Sequence, residues 1–370
     1  MFSFLDHRDL WYDLCLTAIA DTYPIWLREI AKEQKKFENY SPVLADLSFI
    51  ELKYSVNGQR FWEIHPAIQA VARQRAISEE QEYIRCAVSL VASQVPRSYE
   101  ERFWEKMRRL EPHAILCWGY IIRGKWGPCT SLTELESLGR LFRHLGHYSQ
   151  ASLIYRMIEK GLNQEALAVP EGEFLSDVFT NLGLTYIGQR EYDLAQQAFD
   201  KSWNLRSQLG SLTPDITMSI MYNKSVAFMM TGRLEEAEDN LRNAASHFAR
   251  HKPDQYGLTK DERKQLYIRI LNDMGDVLSE RAQWMQQLIS SPTFLTAKES
   301  NAQLGEFSAA NSLLEDVIAI YTEWWGRRHP VTMRAVDELA LAFMEKSEHK
   351  SALGVCAASE LQNAERLWKS

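Results

Sequence analysis

The stretch Leu182-Gly183-Leu184-Thr185-Tyr186-Ile187-Gly188-Gln189-Arg190-Glu191-Tyr192-Asp193-Leu194-Ala195 decides the fold. It carries a small residue (Gly183), an aromatic three positions later (Tyr186), a Gly-Gln-Arg turn signal and an alanine twelve positions after the small residue (Ala195). This is the pattern of a helical hairpin in which two helices touch at the small residues. Working outward, Gly139, Phe142 and Ala151 repeat it upstream, and Ser225, Phe228 and Ala237 repeat it downstream. A fourth unit starts at Gly275 and Leu278 but resumes only at Gly305-Glu306-Phe307 with Ala310, and a fifth has Ala340, Phe343 and Ala352. The fourth unit therefore carries an insertion around residues 284–303, and solenoid insertions usually sit on one working face. Residues 126–370 read as tetratricopeptide-like (TPR-like) helical repeats.

Residues 1–125 do not repeat. Helices are expected over Leu10–Ala20, Pro24–Lys32, Ser41–Leu47, Pro66–Arg75 and Glu79–Gln94. Strands over Ser48–Tyr54 and Arg60–Ile64 flank Asn57-Gly58, a two-residue hairpin signal. The expected fold is all-α with a minor β wing: a winged-helix-like N-terminal domain followed by a TPR-like solenoid.

The 370 residues hold 45% hydrophobic and 25% charged residues with a net charge of −7, a balance that disfavours a nucleic-acid partner. The five cysteines are scattered and show no Cys-x-x-Cys spacing, so neither a disulfide framework nor a zinc site is readable. The N-terminus has no basic leader, and the longest apolar stretch, Ala114 to Ile122, is too short to span a bilayer. A cytoplasmic location with no membrane association is expected. The nine histidines form no His-Glu-x-x-His pair, and no Gly-x-Ser-x-Gly elbow or phosphate-binding Gly-x-x-x-x-Gly-Lys-Ser/Thr loop occurs.

The repeats break their own pattern at Lys224. Before the crossing residue the other units have Leu138, Leu182, Met274 and Leu339; the third has a lysine, costly to bury unless it reaches an anion or solvent. Either its stem snorkels between helices or its ammonium meets a ligand anion. One position earlier the repeats align Asn181, Asn223, Asp273 and Glu338, a polar column facing the groove and suited to hydrogen-bonding an extended peptide. In the fourth unit Asn272, Asp276 and Glu280 stand at i, i+4 and i+8, three oxygen ligands on one helical stripe, next to Asp273. Oxygen-only ligands suit Mg²⁺. Asp177 and Asn181 form a second oxygen pair, and Arg269 and Arg334 occupy groove-facing places where forked donors would hold a diphosphate. Tyr222 and Phe228 belong to an aromatic and methionine-rich surround; most of it is core, and a minority facing a cavity would stabilise cations.

Three resemblances follow from these residues. Phe4-Leu5-Asp6, Ile64 to Gln69 and Trp104 through His113 resemble the segment that joins the nucleotide-binding module to the repeats in fungal NB-ARC/TPR signalling ATPases. The repeats, with Arg328-His329-Pro330 opening the last, resemble the kinesin-light-chain variety. The whole plan, with Lys224 and the Asn272–Glu280 stripe, resembles the noncanonical sesquiterpene cyclases of the fungal alpha-humulene synthase family; the stripe is similar to the class I Asn-Asp-x-x-Ser/Thr-x-x-x-Glu magnesium motif, with Asp276 in the Ser/Thr place. That resemblance implies a class I terpene cyclase acting on farnesyl diphosphate with Mg²⁺, with Lys224 on the diphosphate, and it leaves homodimerisation open. Ile220, one turn before Lys224, would then abut the substrate. The competing expectation is a noncatalytic TPR adaptor whose groove binds a partner peptide.

Overall fold

The computed structural model describes residues 2–20, 23–54, 58, 60–96, 103–125, 131–162, 169–250, 258–289 and 318. The chain divides into two compact units, Met1–Arg190 and Glu191–Ser370.

The first unit opens with single turns at Phe2–Phe4 and Tyr12–Cys15, where a longer helix from Leu10 was expected. The backbone of Leu10 is used elsewhere: it exchanges two hydrogen bonds with Trp62 of the wing (3.0 and 2.7 Å), and Trp11 is extended. A residue committed to a bridge cannot also open a helix. Helix α1 (Ile25–Lys32) agrees with expectation, whereas α2 (Gln34–Asp46) begins seven residues before Ser41 and runs through Pro42. Proline usually marks a first turn, which is why the sequence points to a start at Ser41-Pro42.

Strands β1 (Ile50–Tyr54) and β2 (Arg60–Ile64) form an antiparallel ladder in register Ile50↔Ile64, Leu52↔Trp62 and Tyr54↔Arg60. Gly58, between the two strands, stands at φ 75°, a conformation few side chains tolerate. Helix α3 (Pro66–Arg75) starts with proline at its first position and His65 as cap, Nδ1 accepting from Ala67 N–H at 3.2 Å.

Helices α4 (Glu80–Ser93) and α5 (Phe103–Ile122) hold the core of this part, with Ile84, Leu90, Leu110 and Cys117 fully buried. The residues that carried the NB-ARC/TPR resemblance meet here. Arg109 grips Asp9 through two bonds of 2.7 Å and stacks over Trp11 at 3.9 Å. Buried His113 accepts from Asp6 N–H at Nδ1 (3.0 Å) and donates from Nε2 to the Asp9 carbonyl (2.7 Å), tying the N-terminus to α5.

The repeats follow as α6 (Leu132–His144), α7 (Tyr148–Leu162) and α8 (Val169–Gln189) in the first unit. Gly139 is needed because a Cβ there would stand 2.9 Å from the ring of fully buried Tyr155. Ala151 and Phe142 are buried as the repeat pattern requires. The sequence boundary near residue 125 lies beside 126–130, outside the described residues; the compact unit takes in α6 to α8 as well.

The second unit contains α9 (Tyr192–Gln208), α10 (Pro214–Met230), α11 (Leu234–Arg250) and α12 (Lys260–Ile289). Its core joins Met218, Phe228, Ala237, Leu241, Leu266, Ile270 and Val277 from three helices. Thr213 caps α10, accepting from Ile216 N–H. Thr259 and Glu262 cap α12 reciprocally: Thr259 Oγ1 accepts from Glu262 N–H, and Glu262 accepts from Thr259 N–H. Helix α12 continues to Ile289, through the first residues of the insertion expected at 284–303; the remainder of that insertion and the fifth repeat lie outside the described residues. The fold is all-α with a two-stranded wing and TPR-like hairpins.

Candidate functional site

Helix α10 carries Ile220, Tyr222, Asn223, Lys224 and Phe228. The Lys224 ammonium does not enter the core; it donates to Asp200 Oδ1 on α9 at 2.6 Å, with the two side chains 23% and 54% exposed. The snorkelling reading describes this geometry: the stem is covered and the head meets a carboxylate near water. Ser225 beside it is fully buried, its hydroxyl donating to the Tyr222 carbonyl at 2.6 Å. Ile220 is 2% exposed and so packs inside the protein. Phe228 is buried with the Arg233 guanidinium 4.5 Å over its ring. Asn223 is half-buried.

Helix α12 places Arg269 and Asp276 in solvent and leaves Asn272 and Asp273 half-buried. Burial pushes the Asp273 carboxyl up to about 6. A hydrogen bond from the Tyr222 hydroxyl opposes the shift, neighbouring Asp276 adds to it, and Arg269 opposes it again. Burial first, and then Asp273, drives the Tyr222 phenol above its ordinary range. Tyr222 and Asp273 thus form a coupled pair across α10 and α12. The side chain of Glu280, and Arg334 and Glu338 altogether, lie outside the described residues.

In the first unit, Asp177 is exposed on α8 and Asn181 is half-buried, its Nδ2 donating to Glu136 Oε1 on α6 at 3.3 Å. These two belong to a different compact unit from Lys224 and the α12 stripe.

Sequence reasoning missed the partners. Asp200 stands 24 residues before Lys224, with no local spacing to betray it. The buried pair Asp215–Arg263 (2.7 Å; 1% and 6% exposed) joins the first turns of α10 and α12, and Arg263 also lies 5.0 Å over Phe248, which stacks on Tyr267 at 3.9 Å. Acidic residues early in helices look like ordinary first-turn residues, so this pair has no sequence signature.

Among the described residues no group of three or more carboxylate, imidazole or thiol ligands lies together to hold a metal ion. Asn272, Asp273 and Asp276 have the oxygen chemistry Mg²⁺ requires, yet Asp273 is engaged by Tyr222 and its protonated form is favoured by burial. Asn272 and Asp276, the described members of the stripe, are half-buried and exposed respectively. An apolar cavity of about 610 Å³ lies instead in the first unit, between the wing, α2 and α3, lined by Leu10, Phe49, Trp62, Ile68 and Val71 with Arg75. Cys15, Cys86 and Cys117 are free and buried, and burial pushes the Cys15 and Cys117 thiols up to about 12; Cys129 and Cys356 lie outside the described residues. Among the described residues no helix is long and apolar enough to cross a membrane.

No protein-family model and no curated protein matches the sequence. Similar solved structures include two forms of a Podosopora anserina putative kinesin light chain with nearly identical TPR-like repeats, one of them a point variant. Each is 14% identical, covering 64% of this chain and 96% of that one at a TM-score of 0.46. BtubC (BKLC) from P. vanneervenii is also 14% identical, covering 76% and 92% at a TM-score of 0.47. At that distance they add nothing to the hairpin geometry described above.

Proposed function

We propose that this chain is a noncatalytic TPR-like module whose helical hairpins bind an extended segment of a partner protein. The carrying observation lies in the second unit: Asn223 on α10 and Asp273 on α12, at equivalent places of successive hairpins, are both half-buried and keep polar surface outside the core. Amide side chains at such places can hydrogen-bond a peptide backbone without reading its sequence, and neighbouring side-chain contacts add specificity. The pairing of Lys224 with Asp200 supports the same reading, because the one lysine that breaks the repeat pattern has a structural partner and needs no ligand anion.

A second reading, a class I terpene cyclase using farnesyl diphosphate and Mg²⁺, is favoured by one observation: the oxygen donors Asn272, Asp273 and Asp276 do share a single helix, with Lys224 on another helix of the same unit. Incubation with geranyl, farnesyl and geranylgeranyl diphosphates and Mg²⁺, followed by headspace analysis, separates the two. Under the module reading no hydrocarbon forms. A cyclic sesquiterpene lost on Asp276→Ala would make the cyclase reading the correct one.

A further inference from the structure

Helices α6 and α7 bring together more buried donors than the acceptors around them satisfy. Tyr155 is fully buried, and its hydroxyl makes no well-aligned hydrogen bond although Arg143 stands close enough to interact with it. Arg140 Nε and Nη2 and Arg143 Nε are likewise buried and without one. Arg143, Glu136 and Arg140 are the charges that act on the Tyr155 hydroxyl. Glu136 approaches Arg140 only to 3.8 Å, beyond hydrogen-bond range, and its other oxygen accepts from Asn181. His144 Nε2 accepts from Arg143 at 3.1 Å, which requires an unprotonated nitrogen. Burial, then Arg143 and Arg140, holds His144 down at about 4. Two guanidinium groups against one carboxylate leave a net positive site, and the 15% exposure of the Arg140 side chain leaves it an opening to solvent.

Buried guanidinium donors without acceptors are costly, and a native protein that retains them has a use for them. We propose that Arg140, Arg143 and Tyr155 form a binding site for a phosphate group. Two planar forks and a hydroxyl supply more donors than the two oxygens of a carboxylate can use, whereas a tetrahedral phosphate can accept them all. The site lies wholly in the first unit and stands independently of peptide binding by the repeats.

The test is calorimetric titration of the full chain with inorganic phosphate, with acetate and O-phosphoserine in parallel. Saturable phosphate binding is expected, weakened about tenfold or more by Arg140→Gln and by Arg143→Gln. Arg156→Gln should leave it unchanged, since Arg156 is occupied with Tyr186. Arg140→Lys, which keeps charge but loses the fork, should fall between and guards against a folding defect. Bound phosphate should also raise the titration midpoint of His144 in NMR spectra, because it offsets the two arginines. Equal affinity for O-phosphoserine would identify a phosphate ester as the source, and a preference for the free ion would identify inorganic phosphate. No saturable binding, undiminished binding in both glutamine variants, or acetate binding as tightly as phosphate would each overturn the proposal.

Discussion

The first and third hairpins solve the same crossing differently. In α6–α7 the crossing residue is Gly139 and the side chain opposite is a fully buried tyrosine, so every atom beyond a hydrogen is excluded. In α10–α11 the crossing residue is Ser225, and the residue sixteen positions on, where the first hairpin has Tyr155, is the smaller Leu241. At its crossing the first hairpin packs Leu138, Phe142 and Ile154; near the third hairpin's crossing the second unit places the half-exposed Lys224–Asp200 pair, with buried Asp215–Arg263 at the start of α10 and α12. One repeat pattern therefore tolerates a lysine where a leucine is standard, provided a carboxylate waits at the end of its stem.

The largest effect should come from the buried ion pair. Arg263→Met removes the guanidinium that faces the buried Asp215 carboxylate and should cost about 3–5 kcal/mol in urea unfolding of the second unit. The double variant Asp215→Leu/Arg263→Met should recover most of that loss; if it does not, the pair contributes more than mutual neutralisation.

Next, Gly139→Val should destabilise the first hairpin by about 1–3 kcal/mol, since Tyr155 has nowhere to move. Ser225→Ala should change stability by no more than about 1 kcal/mol. Equal costs at the two sites would erase the distinction between the hairpins.

The two units should also respond oppositely to acid. His113 and His144 are held below their ordinary values by burial, so their contribution is present above about 6.5 and is lost as pH falls toward and through their folded values. Asp273 is raised to about 6, so its contribution is full below 3.8 and is lost as pH rises through about 6. Amide exchange followed between about pH 4 and pH 8 should show the first unit gaining protection with rising pH, and the region around Asp273 losing it.

The smallest effect belongs to Lys224→Met. Because Asp200 is more than half exposed, the pair should be worth no more than about 1 kcal/mol, and thermal unfolding should barely shift. A large loss would show that Lys224 organises the α9–α10 contact.

The hairpins and the wing were legible in the sequence because they rest on local periodicity and turn residues: Gly139, Ala151, Ser225 and Gly58 report their own geometry. Leu10–Ala20 misled because its fate is set by a bridge to Trp62, distant in sequence. The site was half legible. Lys224 stood out as a broken rule, but Asp200, Glu136 and Arg263 did not, since a partner supplied by another helix leaves no mark in local spacing. Asp273, beside the magnesium stripe, illustrates the converse: it shares α12 with Asn272 and Asp276, yet its carboxyl meets Tyr222 of α10, which no i, i+4 count can show.

The central claim, that the polar column of the second unit receives an extended peptide, is tested most directly by selecting a binder from a random peptide library and measuring its affinity for the wild type, Asn223→Ala and Asp273→Ala. The account predicts that at least one of these substitutions weakens the selected peptide about tenfold, the loss of a buried hydrogen bond at an interface. Affinity unchanged in both variants would contradict it.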